Sequence, residues 1–337
     1  MIEPARYTSG RIALGNLAAT IDGLELRRLG QPSFEELAAL SKLLFVRGDL
    51  LGRIADHDRA ERVGNEAVAL SPGTAAALHL RAGLAERFHR FEEAAGLVGR
   101  AGTAGHPRRE VEGREAAILQ ATGRYNEALV LRQRQAHDDP GIETLGALGS
   151  LMAEMGAFEA AEGCYAAALR ADDGVSPLPC GQLLFEWGVG AMRNGDVDRA
   201  EEIFAELHAI VPAHVPGRGH RAEVALARGE LGVAAALVAP LVDASDDPEY
   251  RATYAEILAA RGQPEAARRE AEQAAADYEL LLARRPEAYA DHAAAFFMGI
   301  GDRPALAVEL AAMNWQLRDT PRSRRLLARA LEARKAA

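Results

Sequence analysis

The sequence predicts an all-α solenoid of about eight helix-turn-helix units, and three recurrences predict it. Turn positions recur at Ala55, His89, Gly123, Gly156, Gly195, Gly229, Gly262 and Gly301, at spacings of 34, 34, 33, 39, 34, 33 and 39 residues. Five residues after each of the first seven stands an alanine: Ala60, Ala94, Ala128, Ala161, Ala200, Ala234 and Ala267. Seven residues before each stands a glycine or alanine: Gly48, Ala82, Ala116, Gly149, Gly188, Ala222 and Ala255. The eighth unit is read with a one-residue shift, at Ala295 and Ala307. Two columns held over seven units mark an internal repeat. Their chemistry is that of two crossing helices, where a larger side chain would push the axes past about 8–10 Å.

Composition agrees. Aromatic residues make up 5% of the 337, which suits a thin core of alanine and leucine between stacked helices. The net charge is −10, from 49 acidic and 39 basic side chains, so the surface has no global attraction for nucleic acid or anionic lipid. Cys164 and Cys180 alone build neither a disulfide framework nor a zinc site. The run Ile12–Ile21 lacks the cleavage pattern of a signal peptide, and Leu231–Val242 is too short to span a bilayer; a cytoplasmic, membrane-free protein is expected.

Residues 1–40 form a lead-in, with a helix across Arg11–Ile21, punctuation at Gly30-Gln31-Pro32, and Ser33 and Glu36 as a capping box. Residues 41–171 carry units one to four. Residues 172–180 are read as a Pro/Gly loop (DDGVSPLP over 172–179), either a hinge or a tolerated surface insertion. Residues 181–320 carry units five to eight, including an overlong second helix, Glu265–Arg284, that projects past its neighbours. Residues 321–337 form a capping helix whose outer face holds Arg324, Arg325, Arg329, Arg334 and Lys335. His208 and His214 are placed on the surface of an inter-unit turn, and Asp56-His57-Asp58 is read as a helix cap.

This pattern resembles the tetratricopeptide repeat family over roughly residues 41–320. The carriers are Trp187, Gly188, Gly195, Ala200, Phe204 and Pro212, with Ala82, Phe91, Ala94 and Ala101 in the second unit and Gly123, Tyr125, Ala128 and Pro140 in the third. The resemblance implies a right-handed superhelix whose first helices line a concave groove, and a peptide or partner-protein segment bound there.

No phosphate loop, zinc-helix motif, paired-cysteine motif or nucleophile elbow is present, so a non-catalytic scaffold without a cofactor is expected. The repeat register instead singles out groove positions. Glu110, Glu143, Glu154, Glu223, Glu249 and Glu256 face one channel, opposed by Arg193 and Arg114, which predicts a polar or cationic partner. Gly113, Gly146, Gly219 and Ala252 are read as a bare groove floor. At the N-terminal end Lys42, Asp49, Arg53, His79, Glu86 and Arg87 form a mixed set suited to clamping a carboxylate. The competing reading is a metal or small-molecule site built from His220, Glu223, Glu256 and His292.

Overall fold

The structure, a computed structural model, describes residues 6–336, which form eighteen helices and no strand. After the lead-in helix α1 (Gly10–Arg28), the helices pair as hairpins. The pairs are α2 (Phe34–Leu51) with α3 (Ile54–Leu70), α4 (Ala75–Arg87) with α5 (Phe91–Thr103), α6 (Arg108–Ala121) with α7 (Tyr125–Asp138), and α8 (Ile142–Glu154) with α9 (Phe158–Ala171). Then follow α10 (Pro177–Arg193) with α11 (Val197–Ile210), α12 (Val215–Ala227) with α13 (Leu231–Ala244), α14 (Pro248–Ala260) with α15 (Pro264–Arg284), and α16 (Pro286–Met298) with α17 (Pro304–Leu317). Helix α18 (Pro321–Ala336) covers α16 and α17.

The crossing columns do what their size requires. Ala60, Ala94, Ala128, Ala200 and Ala234 are wholly buried. A Cβ at Gly188 would stand 2.5 Å from the Phe204 ring, and one at Gly48 would stand 2.4 Å from the His57 ring. The space a side chain would have filled is occupied by an aromatic ring from the partner helix, and Phe204 is fully buried there. Ser33 and Glu36 form the predicted capping box at the start of α2.

Several boundaries differ from the sequence reading. The first hairpin begins at Phe34, and its turn lies at Gly52, where φ is 60°, so Ala55 is already inside α3. In the last hairpin Ala294 is the wholly buried small residue, seven before Gly301, while Ala295 is exposed. Pro177 opens α10, so only residues 172–176 remain a loop; proline is favoured in a first helical turn because its missing N–H has no helical partner there. That loop is tied to the lead-in, for Tyr7 donates to Asp172 at 2.7 Å and the Thr8 amide to the Val175 carbonyl at 2.8 Å.

A solenoid normally touches only its neighbouring units. This one closes on itself. One core cluster joins Leu17, Leu40 and Leu44 of the lead-in and first hairpin to Leu184, Trp187 and Phe204 of α10 and α11. Asp246, between α13 and α14, accepts from the backbone amides of Ile54 and Ala55 at 2.6 and 2.9 Å, capping α3 from 191–192 residues away. Ser245 donates to the Gly52 carbonyl beside it. The extra length of α15 does not project into solvent: Arg284 meets Asp58 at 2.8 Å, and the next residue, Arg285, reaches Asp58 and, at 2.5 Å, Glu61. The Arg285 guanidinium also lies over the Phe88 ring, 4.0 Å from its centroid. Further along the seam, the His89 imidazole meets the Glu287 carbonyl at 3.0 Å. Gly123, with φ of 82°, fits against the α17–α18 loop where a Cβ would collide with the Asp319 carbonyl.

Candidate functional site

Closure narrows the expected groove into a half-open chamber with two adjoining compartments. One, of about 740 Å³, has an aliphatic part formed by Val46, Ile142, Ala147, Leu178 and Leu183, with Lys42, Arg132, Glu143 and Glu186 also on its wall. The other, of about 1010 Å³, is walled by charged and aromatic side chains of α10, α12, α14, α16 and α18. Asp49, Glu154 and Arg318 line both.

The groove register predicted from the repeat places most of its polar residues here. Glu143 faces the aliphatic compartment, Glu154 both, and Arg87, Arg193, His220, Glu223, Glu249 and His292 the polar one. Six predicted polar residues, Arg53, His79, Glu86, Glu110, Arg114 and Glu256, lie outside both linings. Arg53 is exposed at the α2–α3 turn. Glu110 and Arg114 turn towards α4, where Arg114 meets Glu86 at 2.6 Å. Glu256 is exposed and lies near Gly299, at the end of α16. The bare floor is not bare either. A Cβ at Gly146 would meet Leu183, and one at Gly219 would meet Tyr250, each at 2.6 Å; these glycines admit side chains of the next unit.

Within the polar compartment the groups form ordered pairs. His220 Nδ1 lies 2.8 Å from Glu223. Burial works to lower the His220 pKa, but the bond and charge of Glu223 outweigh it and raise it. His292 lies 3.1 Å from Glu249 and 3.9 Å from Asp291. The charges of Glu249 and Asp291 push its pKa up to about 10, so the ring is an imidazolium at neutral pH. Burial works to raise Glu249, yet His292 holds it down at about 2. Burial and Glu249 push the adjacent Asp247 up to about 6.

The four-residue metal reading is not assembled. His220 pairs with Glu223 and His292 with Glu249, while Glu256 stands apart. Among the described residues, the His/Cys/Asp/Glu group whose ligand atoms lie within 4.8 Å of one another is His79, His106 and Glu110. There the Arg114 Nε–H donates to His79 Nε2 at 3.0 Å, which leaves the proton of the neutral ring on Nδ1, the nitrogen facing Glu110. That ring offers no lone pair to a cation, and the cluster is a hydrogen-bonded brace between α4 and α6.

Other histidine and acid assignments change as well. His214 is buried, accepts the Gly217 amide on Nδ1 at 3.0 Å and packs against Phe185. Asp56, His57 and Asp58 do not cap α3; they bind Arg47, Arg87 and the Arg284–Arg285 pair respectively. Arg325, assigned from sequence to an outer face, lines the polar compartment beside Arg322 and Arg318. The spacing of Arg322 and Arg325 on one helix was the available signal.

The tetratricopeptide repeat family profile matches residues 191–257. No curated protein matches the chain. Among solved structures, the Cut9–Hcn1 hetero-tetramer of the APC/C is similar with a TM-score of 0.54 at 16% identity, over 88% of this chain and 55% of that one. The chain thus spans about half the length of that relative. A tetratricopeptide repeat protein from Parabacteroides merdae matches at 19% identity with a TM-score of 0.48, over 72% of this chain and 91% of that one. YrrB, described as having an unusual peptide-binding site, matches at 19% identity with a TM-score of 0.33, over 59% and 95% of the two chains. No helix among the described residues is long and apolar enough to cross a membrane. Residues 191–257 thus match the tetratricopeptide repeat, and the chain has a helical-repeat solenoid fold similar to that of tetratricopeptide repeat proteins.

Proposed function

We propose that the chain is a scaffold that holds a peptide or partner-protein segment inside the chamber. The observation that carries this reading is the partly aliphatic compartment of about 740 Å³, adjoining a polar one along shared lining residues. Such a space offers apolar burial for side chains and fixed polar groups for orientation, the combination that ligand sites require. The segment is polar at one end. A cationic segment finds less support, because most of the acid is met within the protein. Glu223 has His220, Glu249 has His292, and Glu154 has the Tyr125 hydroxyl.

Peptide selection by display on the folded protein tests the proposal. Peptides recovered on the wild type should lose about tenfold or more in affinity on Ala147→Trp, which fills the aliphatic compartment, because apolar burial there is then denied. They should bind Val130→Trp normally, since Val130 is exposed on the outside. Equal binding to both variants sinks the chamber as the binding site.

A further inference from the structure

The polar compartment holds a group of arginines that the protein itself does not satisfy. Some of its other guanidinium groups are well met: Arg47 binds Asp56 at 2.8 and 2.6 Å, and Arg221 binds Glu201 at 2.5 Å. At the junction of α10 with α18 the pattern stops. Arg193 has its nearest carboxylate, Glu154, at 3.9 Å, and Glu154 is itself engaged by Tyr125. Arg318 and Arg322 share one carboxylate, Asp291, at 3.7 and 3.9 Å, beyond hydrogen-bond reach. Asp291 already faces His292 and accepts the His292 amide at 3.0 Å. Arg318 otherwise reaches only the Ala121 carbonyl, at 3.4 Å. Arg325 lines the same wall. Asp319 is taken by Arg324 at 2.7 and 2.8 Å, and Glu249, whose charge also reaches Arg322, is paired with His292 at 3.1 Å.

The electrostatics agree with the geometry. Burial and the like charges of Arg322 and Arg318 push the Arg193 pKa down. Burial works to raise Asp291, but His292, Arg322 and Arg318 hold it well below the usual carboxylate range. One buried carboxylate is therefore surrounded by more positive charge than it neutralises. Planar guanidinium forks left without a partner match the oxygens of a carboxylate or a phosphate.

We infer that Arg193, Arg318, Arg322 and Arg325 form an oxyanion site, which receives a carboxylate or phosphate group of the bound molecule. This rests on the chamber being the ligand site and gives that ligand a sign. The aliphatic compartment holds its apolar part, and the arginine wall holds its anionic group.

Isothermal titration of the full chain at constant ionic strength tests this, with inorganic phosphate and succinate as separate probes. Saturable binding of at least one is expected, weakened about tenfold or more by Arg193→Gln and by Arg322→Gln through loss of charge-assisted bonds. Arg329→Gln, on the same helix but outside the chamber lining, should bind as the wild type does. Phosphate alone, succinate alone or both then identifies the oxyanion accepted. If Arg193→Gln does not fold, Arg325→Gln replaces it, since Arg325 is exposed and forms no ion pair among the described residues. No binding of either probe, or equal binding by the lining variants, overturns the site. Display peptides that still require an open aliphatic compartment would then leave the proposed function standing, whereas probe binding without any such peptide would remove that function and keep the oxyanion site.

Discussion

The two compartments of the chamber are built from the same repeat, yet they are held in opposite ways. The aliphatic one lies between α2 and α6 through α10, and its wall merges with the core cluster joining Leu40 and Leu44 to Leu184 and Phe204. The polar one lies beneath a seam of directional contacts: Asp246 on the Ile54 and Ala55 amides, Arg284 and Arg285 on Asp58 and Glu61, and His89 on Glu287. Packing is non-directional and close to all-or-none, whereas a hydrogen-bonded seam separates one contact at a time. A pocket backed by packed core thus adjoins one bounded by separable polar contacts.

The largest expected effect erases the distinction. Phe204→Ala vacates the space beneath Gly188 and should cost about 3–5 kcal/mol, measured by urea unfolding. Both compartments should be lost together. A smaller effect should separate them. Asp246→Ala leaves two amides of α3 uncapped and should cost about 1–2 kcal/mol. Hydrogen exchange at Ile54 and Ala55 should accelerate, while the amides of α8 beside the aliphatic compartment keep their wild-type rates. Acceleration in α8 as well would show that the compartments open as one.

Part of the pH response should belong to the polar compartment. His292 has a raised pKa, so its stabilising contribution is complete below the ordinary value of 6.5 and is lost as pH climbs through about 10. Glu249 has a depressed pKa, so its contribution is complete above 4.5 and is lost as pH falls through about 2. The wild-type melting temperature should therefore decline between pH 6.5 and pH 10 by a margin that His292→Gln removes. Parallel decline in the two proteins would contradict the pairing. The smallest effect is the control: Arg329→Gln, outside the chamber lining, should shift stability by no more than about 0.5 kcal/mol.

What the sequence revealed followed from period. Wherever helices cross, a side chain of bounded size is required at a fixed register, and Ala60, Gly188 and Ala200 carry that requirement legibly. The same register found Glu143, Glu154, Arg193 and Glu223 on the inner face. Closure left no periodic trace, because Asp246, Arg284, Arg285 and Asp58 each act once, between units far apart in sequence. Without closure, the length of α15 reads as a projection and Arg325 as an outer-face residue. Gly146 and Gly219 misled for a related reason: a missing side chain signals space, but not which neighbour fills it. In the last hairpin the additional turn residue before Ala307 drew the register onto Ala295 rather than Ala294.

Asp246 has a further consequence for how the protein is made. A chain of stacked repeats assembles as it leaves the ribosome, because each unit needs only the one before it. Here the second helix of the first hairpin receives its terminal hydrogen bonds from a residue 192 positions later. The first hairpin emerges early and waits, its Ile54 and Ala55 amides facing water, until the α13–α14 loop has been synthesised. Final locking of α3 is thus deferred until the loop after α13 has been made, and the folding rate should follow long-range topology rather than the local contacts that make open solenoids fast.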